Sequence, residues 1–371
     1  MSNQLHFLPV FVIMCKKQRI FLGKGVCIHM KLLSFIIPSY NCSAFLDKCV
    51  ESMLCPEVLD QLDIIIVNDG STDDTSAIAQ SYCDRYPNSV RLINQQNKGH
   101  GGALNAGCAA AIGKYLKVID ADDWVETANL PTFLSALENC ESDVVLTHHY
   151  TRNVSNSQTR NWKSYPKAFG SAMTMEQIMA CPNDFFRSLT FHGITYRTDF
   201  YRREGITLSE HVFYEDQEYS TIPCCFAQTI TCLDLFLYNY RIGDVNQSVS
   251  DANQLKRLSH SETVMNRLLQ EYNSRDLSSA GQAFFCTKVK IFVLGYLLTV
   301  LLAEKNKSAG RKKAAAMMAL LEKSMPHAHE MAVRQYRIFR IMNRFHISKR
   351  TWDRILDSKL YHAWKGNHDF S

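Results

Sequence analysis

Three short apolar runs, each breaking into a polar cluster, set the terms for this 371-residue chain: "LLSFIIPSYN", "LDIIIVNDGS" and "KYLKVIDADD". A continuous apolar run of that length, bounded by turn residues, is the pattern of a strand buried on both faces. Segments with helical spacing lie between them: "AFLDKCVESMLC", then "STDDTSAIAQSYCDRY", whose Ser, Thr and Asp suit a helix start. After a shorter strand, "VRLINQ", comes a glycine-rich turn, "NKGHGG", and then a helix, "ALNAGCAAAI". Strands alternating with helices predict an α/β fold around a mostly parallel sheet flanked by helices. Ligands of such sheets bind beyond the carboxyl ends of the strands, so the three polar clusters should share one crevice.

Composition narrows the class. With 46% hydrophobic and 21% charged residues, the chain is ordinary globular protein, large enough for one sizeable α/β domain and an addition. Its 13 cysteines show neither CxxC pairs nor regular spacing, which fits a reducing compartment better than a disulfide framework or a zinc site. A net charge of +5 is too mild to argue for nucleic acid, and no nucleic-acid motif is present. The longest apolar run, "IFVLGYLLTVLLA", falls short of the roughly 20 residues a spanning helix needs and predicts a buried helix. Residues 1–29 put an apolar run before basic residues, the reverse of a signal peptide. Because Met30 directly precedes the first strand, this extension is expected to be disordered or untranslated.

The polar clusters carry the chemistry. A lone Asp after a strand is usually a cap or turn residue, and that is the expectation for Asp73 and Asp74. Asp69, Asp120 and Asp122 differ, because three strand-end carboxylates on one rim repel unless something positive sits among them. A hard divalent cation shared with a diphosphate meets that need. A dinucleotide fingerprint is a poor match to "GHGGALNAG", whose glycines are wrongly spaced and follow too late a strand.

Together, "FIIPSYN", "IIIVNDGSTDDT", "NKGHGGALNAG" and "DADDW", in that order, resemble the family 2 glycosyltransferases, inverting enzymes of the GT-A fold. The likeness covers roughly residues 30–250 and implies a nucleotide-diphospho-sugar donor, a UDP-sugar by family habit. Pro38, Tyr40, Asn41 and Asp69 then fall on the nucleotide, with Tyr40 against the base and Asp69 accepting from it. Asp120 and Asp122 resemble the two ends of the DxD motif, which implies the first near the ribose and the second on a Mn²⁺ or Mg²⁺ ion at the diphosphate. Asp123 is its neighbour toward the donor sugar, or else caps the next helix. Lys98 and Asn105 are expected along the donor side.

Further on, "LSEHVFYEDQEYS" carries Glu215-Asp216, similar to the family's ED motif. Asp216 is the expected general base and Glu215 its orienting neighbour. His192 is a weaker candidate for acceptor or phosphate. "LYNYRIGDVNQSVS" is similar to the segment that closes over bound nucleotide, which brings in Arg241 and Ser248. The acceptor is expected to be a carbohydrate or a lipid-linked hydroxyl in surface polysaccharide or glycoconjugate synthesis. A catalytically silent nucleotide-sugar scaffold is the alternative.

Residues 251–371 change character and predict a helical C-terminal region. Near its end Arg334, Arg337, Arg340, Arg344, Lys349, Arg350, Arg354 and Lys359 outnumber Asp353 and Asp357. Such a segment can lie on the inner face of an anionic cytoplasmic membrane, near a lipid-linked acceptor, or pack on the catalytic domain.

Overall fold

A computed structural model describes residues 19–22, 26–29, 31–164, 166, 169–243 and 251–356. Its centre is a ten-stranded sheet. The strands are β1 (Leu33–Ser39), β2 (Leu62–Asn68), β3 (Val90–Asn94), β4 (Tyr115–Val118), β5 (Trp124–Val125), β6 (Val144–Asn153), β7 (Thr159–Trp162), β8 (Ala172–Met173), β9 (Ile194–Arg197) and β10 (Ile230–Ile242). Their order is β8-β10-β6-β9-β4-β1-β2-β3, with β5 on β10 and β7 on β6. The half β3-β2-β1-β4 is parallel, as the alternation predicts. Beyond it β9 enters antiparallel between β4 and β6. Within the N-terminal extension, Arg19–Leu22 and Val26–His29 pair as a separate two-stranded hairpin.

Alternation along β1 shows how the layers form. Ile36 faces one apolar cluster, while Phe35 and Ile37 face the other. The second cluster holds residues of α1 (Leu46–Glu51), α2 (Thr75–Arg85) and, after α3 (Gly99–Ala110), of α4 (Leu130–Glu138). The first takes α3 and the C-terminal helices. Both sheet faces are therefore covered, which is why these strands are mainly apolar and why a buried polar group such as Asp63 is paired, accepting from Ser34 and Arg91.

The glycine-rich segment is a correction to the predicted turn, because α3 already begins at Gly99. Its glycines serve close packing: a Cβ on Gly107 would lie 2.3 Å from Ile36 Cγ2, and one on Gly101 would lie 2.2 Å from the Ser209 carbonyl oxygen. The first holds α3 against β1. The second lets the 208–215 loop lie across the start of the helix.

The C-terminal helices are continuous with the domain, since Phe284, Leu301 and Met342 share an apolar cluster with Ile36 and Leu146. The segment Ser279–Ala303 forms one run of 25 residues, long and apolar enough to cross a membrane, where the sequence pattern suggested only a shorter element. The interruptions at Lys288 and Lys290 hide its length. Within the fold 61% of its apolar window is buried, and the Lys288 ammonium donates to the Leu189 carbonyl at 3.0 Å. It packs as a core helix of this domain.

Candidate functional site

The carboxyl ends of β1, β2 and β4 open into a cleft of about 720 Å³. Pro38, Tyr40, Asn41, Asp69, Asp120, Asp122, His192, Glu215 and Asp216 all line it, so residues far apart in sequence meet there. Asn41 adopts a left-handed backbone (φ +48°), which asparagine tolerates better than most residues. Its side-chain oxygen accepts from the Thr72 amide at 2.8 Å, stitching the first strand end to the second. Tyr40 is left 54% exposed at the rim. Of the two loop aspartates, Asp73 makes the turn, accepting from the Ser43 and Thr75 amides.

Asp69 is buried, and its Oδ1 accepts from Gln95 Nε2 at 2.7 Å and from the Lys98 amide at 2.9 Å. Lys98 thus acts on the site through its backbone, while its ammonium points to Glu210 at 3.5 Å. Asn105 corrects the expectation of a donor-side residue. Its amide is spent on Leu208, donating to the carbonyl at 3.0 Å and accepting from the N–H at 2.9 Å, away from the cleft.

Asp120, Asp122 and Asp123 divide the work at the third strand end. Asp123 is buried and takes no part in the cleft wall, contrary to the donor-sugar expectation. It accepts from the Tyr238 hydroxyl at 2.5 Å and from the Arg241 amide at 2.7 Å, clamping the end of β10. Asp122 faces the cleft, where burial and then the charge of Asp120 raise its carboxyl to about 6. Among the described residues no cluster of three or more His, Cys, Asp or Glu is placed to hold a metal. A raised carboxyl beside a second carboxylate still fits a cation that draws its remaining ligands from phosphate oxygens, the usual habit of Mg²⁺.

The cluster also has a positive member that the sequence patterns do not single out. His100, in the first turn of α3, sets Nδ1 2.5 Å from Glu215 Oε1 and Nε2 2.9 Å from Asp120 Oδ1. Burial alone would lower its pKa, but Glu215 and Asp120 outweigh that and hold it well above the usual imidazole value. Protonated, it donates to both carboxylates and joins the strand-end side of the cleft to the 208–216 loop. The signal available in sequence was a histidine where the helix otherwise starts in glycine.

Asp216 opens the short helix Asp216–Thr221 and accepts from Gln217 Nε2 at 2.8 Å. Burial, then the neighbouring Glu215, raises it to about 6. Glu215 is 3% exposed, and its Oε2 is buried without a partner. Glu218 anchors the loop, accepting from the Ser209 amide and hydroxyl at 2.8 and 2.7 Å.

Next to the third strand end, His192 packs against Tyr240 with ring centroids 4.3 Å apart, and Lys117 donates to its carbonyl at 2.8 Å. Burial, His149 and Lys117 push the His192 imidazole well below its usual value, so it presents a neutral ring. Arg241 lies with its guanidinium 4.6 Å from the ring centre of Phe45. Ser248 falls outside the described residues.

A profile of the family described as "Glycosyl transferase family 2" matches residues 34–203. The chain is similar to the uncharacterized glycosyltransferase EpsJ of Bacillus subtilis, with 26% identity over 290 residues, 76% of this chain and 80% of EpsJ. It is 38% identical over 125 residues to chondroitin synthase of Escherichia coli, a stretch that is 34% of this chain and 18% of the synthase. Its fold is similar to that of S. aureus TarS 1-349 in complex with UDP-GlcNAc, with a TM-score of 0.54 and 18% identity, covering 85% of this chain and 92% of that one.

Proposed function

We propose, from the match of residues 34–203 to glycosyl transferase family 2 and the fold shared with other glycosyltransferases, that the chain is an inverting glycosyltransferase of that family. Its donor would be a nucleotide-diphospho-sugar, a UDP-sugar in the first instance, and its acceptor a hydroxyl of a carbohydrate or lipid-linked glycan. One observation carries this reading: Asp69, Asp120 and Asp122 share a single cleft with Glu215 and Asp216, and His100 bridges the two groups.

In this proposal Pro38, Tyr40, Asn41 and Asp69 hold the nucleotide, Tyr40 offering its exposed ring to the base. Asp120 lies toward the ribose and Asp122 toward the diphosphate. A Mn²⁺ or Mg²⁺ ion held by Asp122 and phosphate oxygens would supply neutralisation of the charge that builds on the leaving diphosphate. Arg241 and Ser248 belong to the segment expected to cover the phosphates. Asp216 takes the proton from the acceptor hydroxyl. A carboxyl raised to about 6 is ionised at neutral pH yet more basic than an ordinary aspartate, which suits general base work. The acceptor oxygen attacks the anomeric carbon opposite the departing diphosphate, so the configuration inverts. Retention of these carboxylates together weighs against a silent scaffold. Work at the inner face of the cytoplasmic membrane, reached through the basic C-terminal helices, completes the proposal.

The test is donor hydrolysis and donor binding across UDP-, GDP- and dTDP-sugars, with and without Mn²⁺, beside Asp122→Ala. Metal-dependent release of UDP that Asp122→Ala abolishes is the expected result. Release of another nucleotide would correct the donor. Neither release nor metal-dependent nucleotide binding by calorimetry would overturn the site assignment.

A further inference from the structure

The helix Pro326–Arg344 has two unlike faces. Ala328, Ala332, Phe339, Met342 and Asn343 are buried against the fold, and Asn343 Nδ2 donates to the Leu301 carbonyl at 2.6 Å. On the outer side Ile338, Ile341 and Phe345 remain 41%, 57% and 74% exposed. Their spacing of three and four residues aligns them as one apolar ridge along the helix and its cap. Arg337, Arg340 and Arg344 are exposed beside that ridge, and Arg334 is exposed one turn before it. The helix's one carboxylate, Glu330, sits in the second turn, near its N-terminal end and away from the ridge. Trp352 of the next helix packs on Phe339 at 6.1 Å, so the outer face is held in a fixed orientation.

We propose that this face docks the protein on an anionic lipid bilayer. The inference narrows the membrane contact proposed above to one helix face, and it does not depend on any catalytic assignment. Three observations favour lipid over other occupants. An exposed apolar ridge of this size needs an apolar phase, which nucleic acid does not offer. The guanidinium row needs anions, which a neutral apolar partner lacks. A second copy meeting the first about a two-fold axis would set arginine row against arginine row. An anionic bilayer satisfies both halves, taking Ile338, Ile341 and Phe345 at the acyl boundary and the arginines among phosphate headgroups.

Flotation of the full chain with vesicles tests this. It should float with phosphatidylcholine vesicles containing phosphatidylglycerol, not with phosphatidylcholine alone, and salt should release it. The double variant Ile341→Ser/Phe345→Ser should lose binding at least tenfold. Arg337→Gln, Arg340→Gln and Arg344→Gln should each weaken it roughly fivefold. All five positions are exposed, so circular dichroism of the variants should match the parent. The proposal is overturned if the chain stays in solution with anionic vesicles, which would leave the face to another occupant such as residues 357–371. Equal binding to neutral vesicles, or undiminished binding by the variants, also overturns it. So does a dimer in sedimentation that Phe345→Ser dissolves.

Discussion

The two walls of the cleft treat the same residue type in opposite ways. On the strand-end wall His100 is kept well above its ordinary pKa, because the carboxylates of Glu215 and Asp120 outweigh its burial. Elsewhere in the cleft, burial with no such partner, then the neighbouring His149 and Lys117, drive His192 well below its usual value, and His149 itself falls to about 3. Burial lowers all three histidines, and the partner decides which one carries charge. In the proposed reaction the first wall would face the diphosphate of the donor. The other offers neutral rings, His192 against Tyr240, of the kind that pack on a sugar.

The comparison breaks hardest at Asp216. Asp216→Asn should lower kcat by about 10²- to 10⁴-fold, the usual worth of a general base, and leave donor binding by calorimetry near the parent value. A loss of donor affinity as large as the loss of turnover would move Asp216 to the nucleotide side.

His100→Gln should come next, because it removes a charge-assisted bond worth roughly 1.5–3 kcal/mol, about ten- to a hundredfold in rate. His192→Gln, on the neutral wall, should cost a few-fold at most. In an NMR titration the His100 ring should remain protonated at neutral pH while that of His192 stays neutral. Equal pKa values would erase the distinction between the walls.

A pH profile sharpens the same point at smaller amplitude. As the proposed base, Asp216, raised to about 6, would have to be ionised to act, so activity should rise as pH climbs through about 6 and level off above it. The sign for stability is the reverse, because the fold favours the protonated form: that contribution is present below the unfolded value and lost as pH passes the folded one. Asp216→Asn should therefore raise the melting temperature at pH 8 by about 2 °C. A lower melting temperature would show that the aspartate supports the fold.

How much of the molecule was legible in the sequence depends on how far each residue's partners lie along the chain. The parallel half of the sheet is written in local runs such as "LDIIIVND", since a strand buried on both faces is mainly apolar. The strand-end residues Asp69, Asp120 and Asp122 were legible for the same reason. His100 was not, because its partners stand 20 and 115 residues away and a single histidine has no period. Asn105 was placed on the donor side by its nearness to the glycines, but a helix turns about 100° per residue and carries it to the face that meets Leu208. The antiparallel entry of β9 is set by pairing with β4 and β6, which no stretch of "GITYR" announces.

The mildest test concerns the lysine behind the neutral wall. Lys117 is wholly buried in the middle of β4, donating to the His192 and Ile194 carbonyls at 2.8 and 3.1 Å, and burial lowers it to about 7. Between that value and the roughly 10.4 of an unfolded lysine, the unfolded chain binds the extra proton. Stability should therefore rise with pH over this interval. Lys117→Met should flatten that rise in denaturant midpoints between pH 7 and 10, at a cost of about 1–3 kcal/mol from two carbonyls left without a donor. Its effect on kcat should be small, since Lys117 meets the cleft only through the backbone of His192. If instead the variant kept the parent's rise with pH, Lys117 would be charged in the fold and that rise would come from other groups.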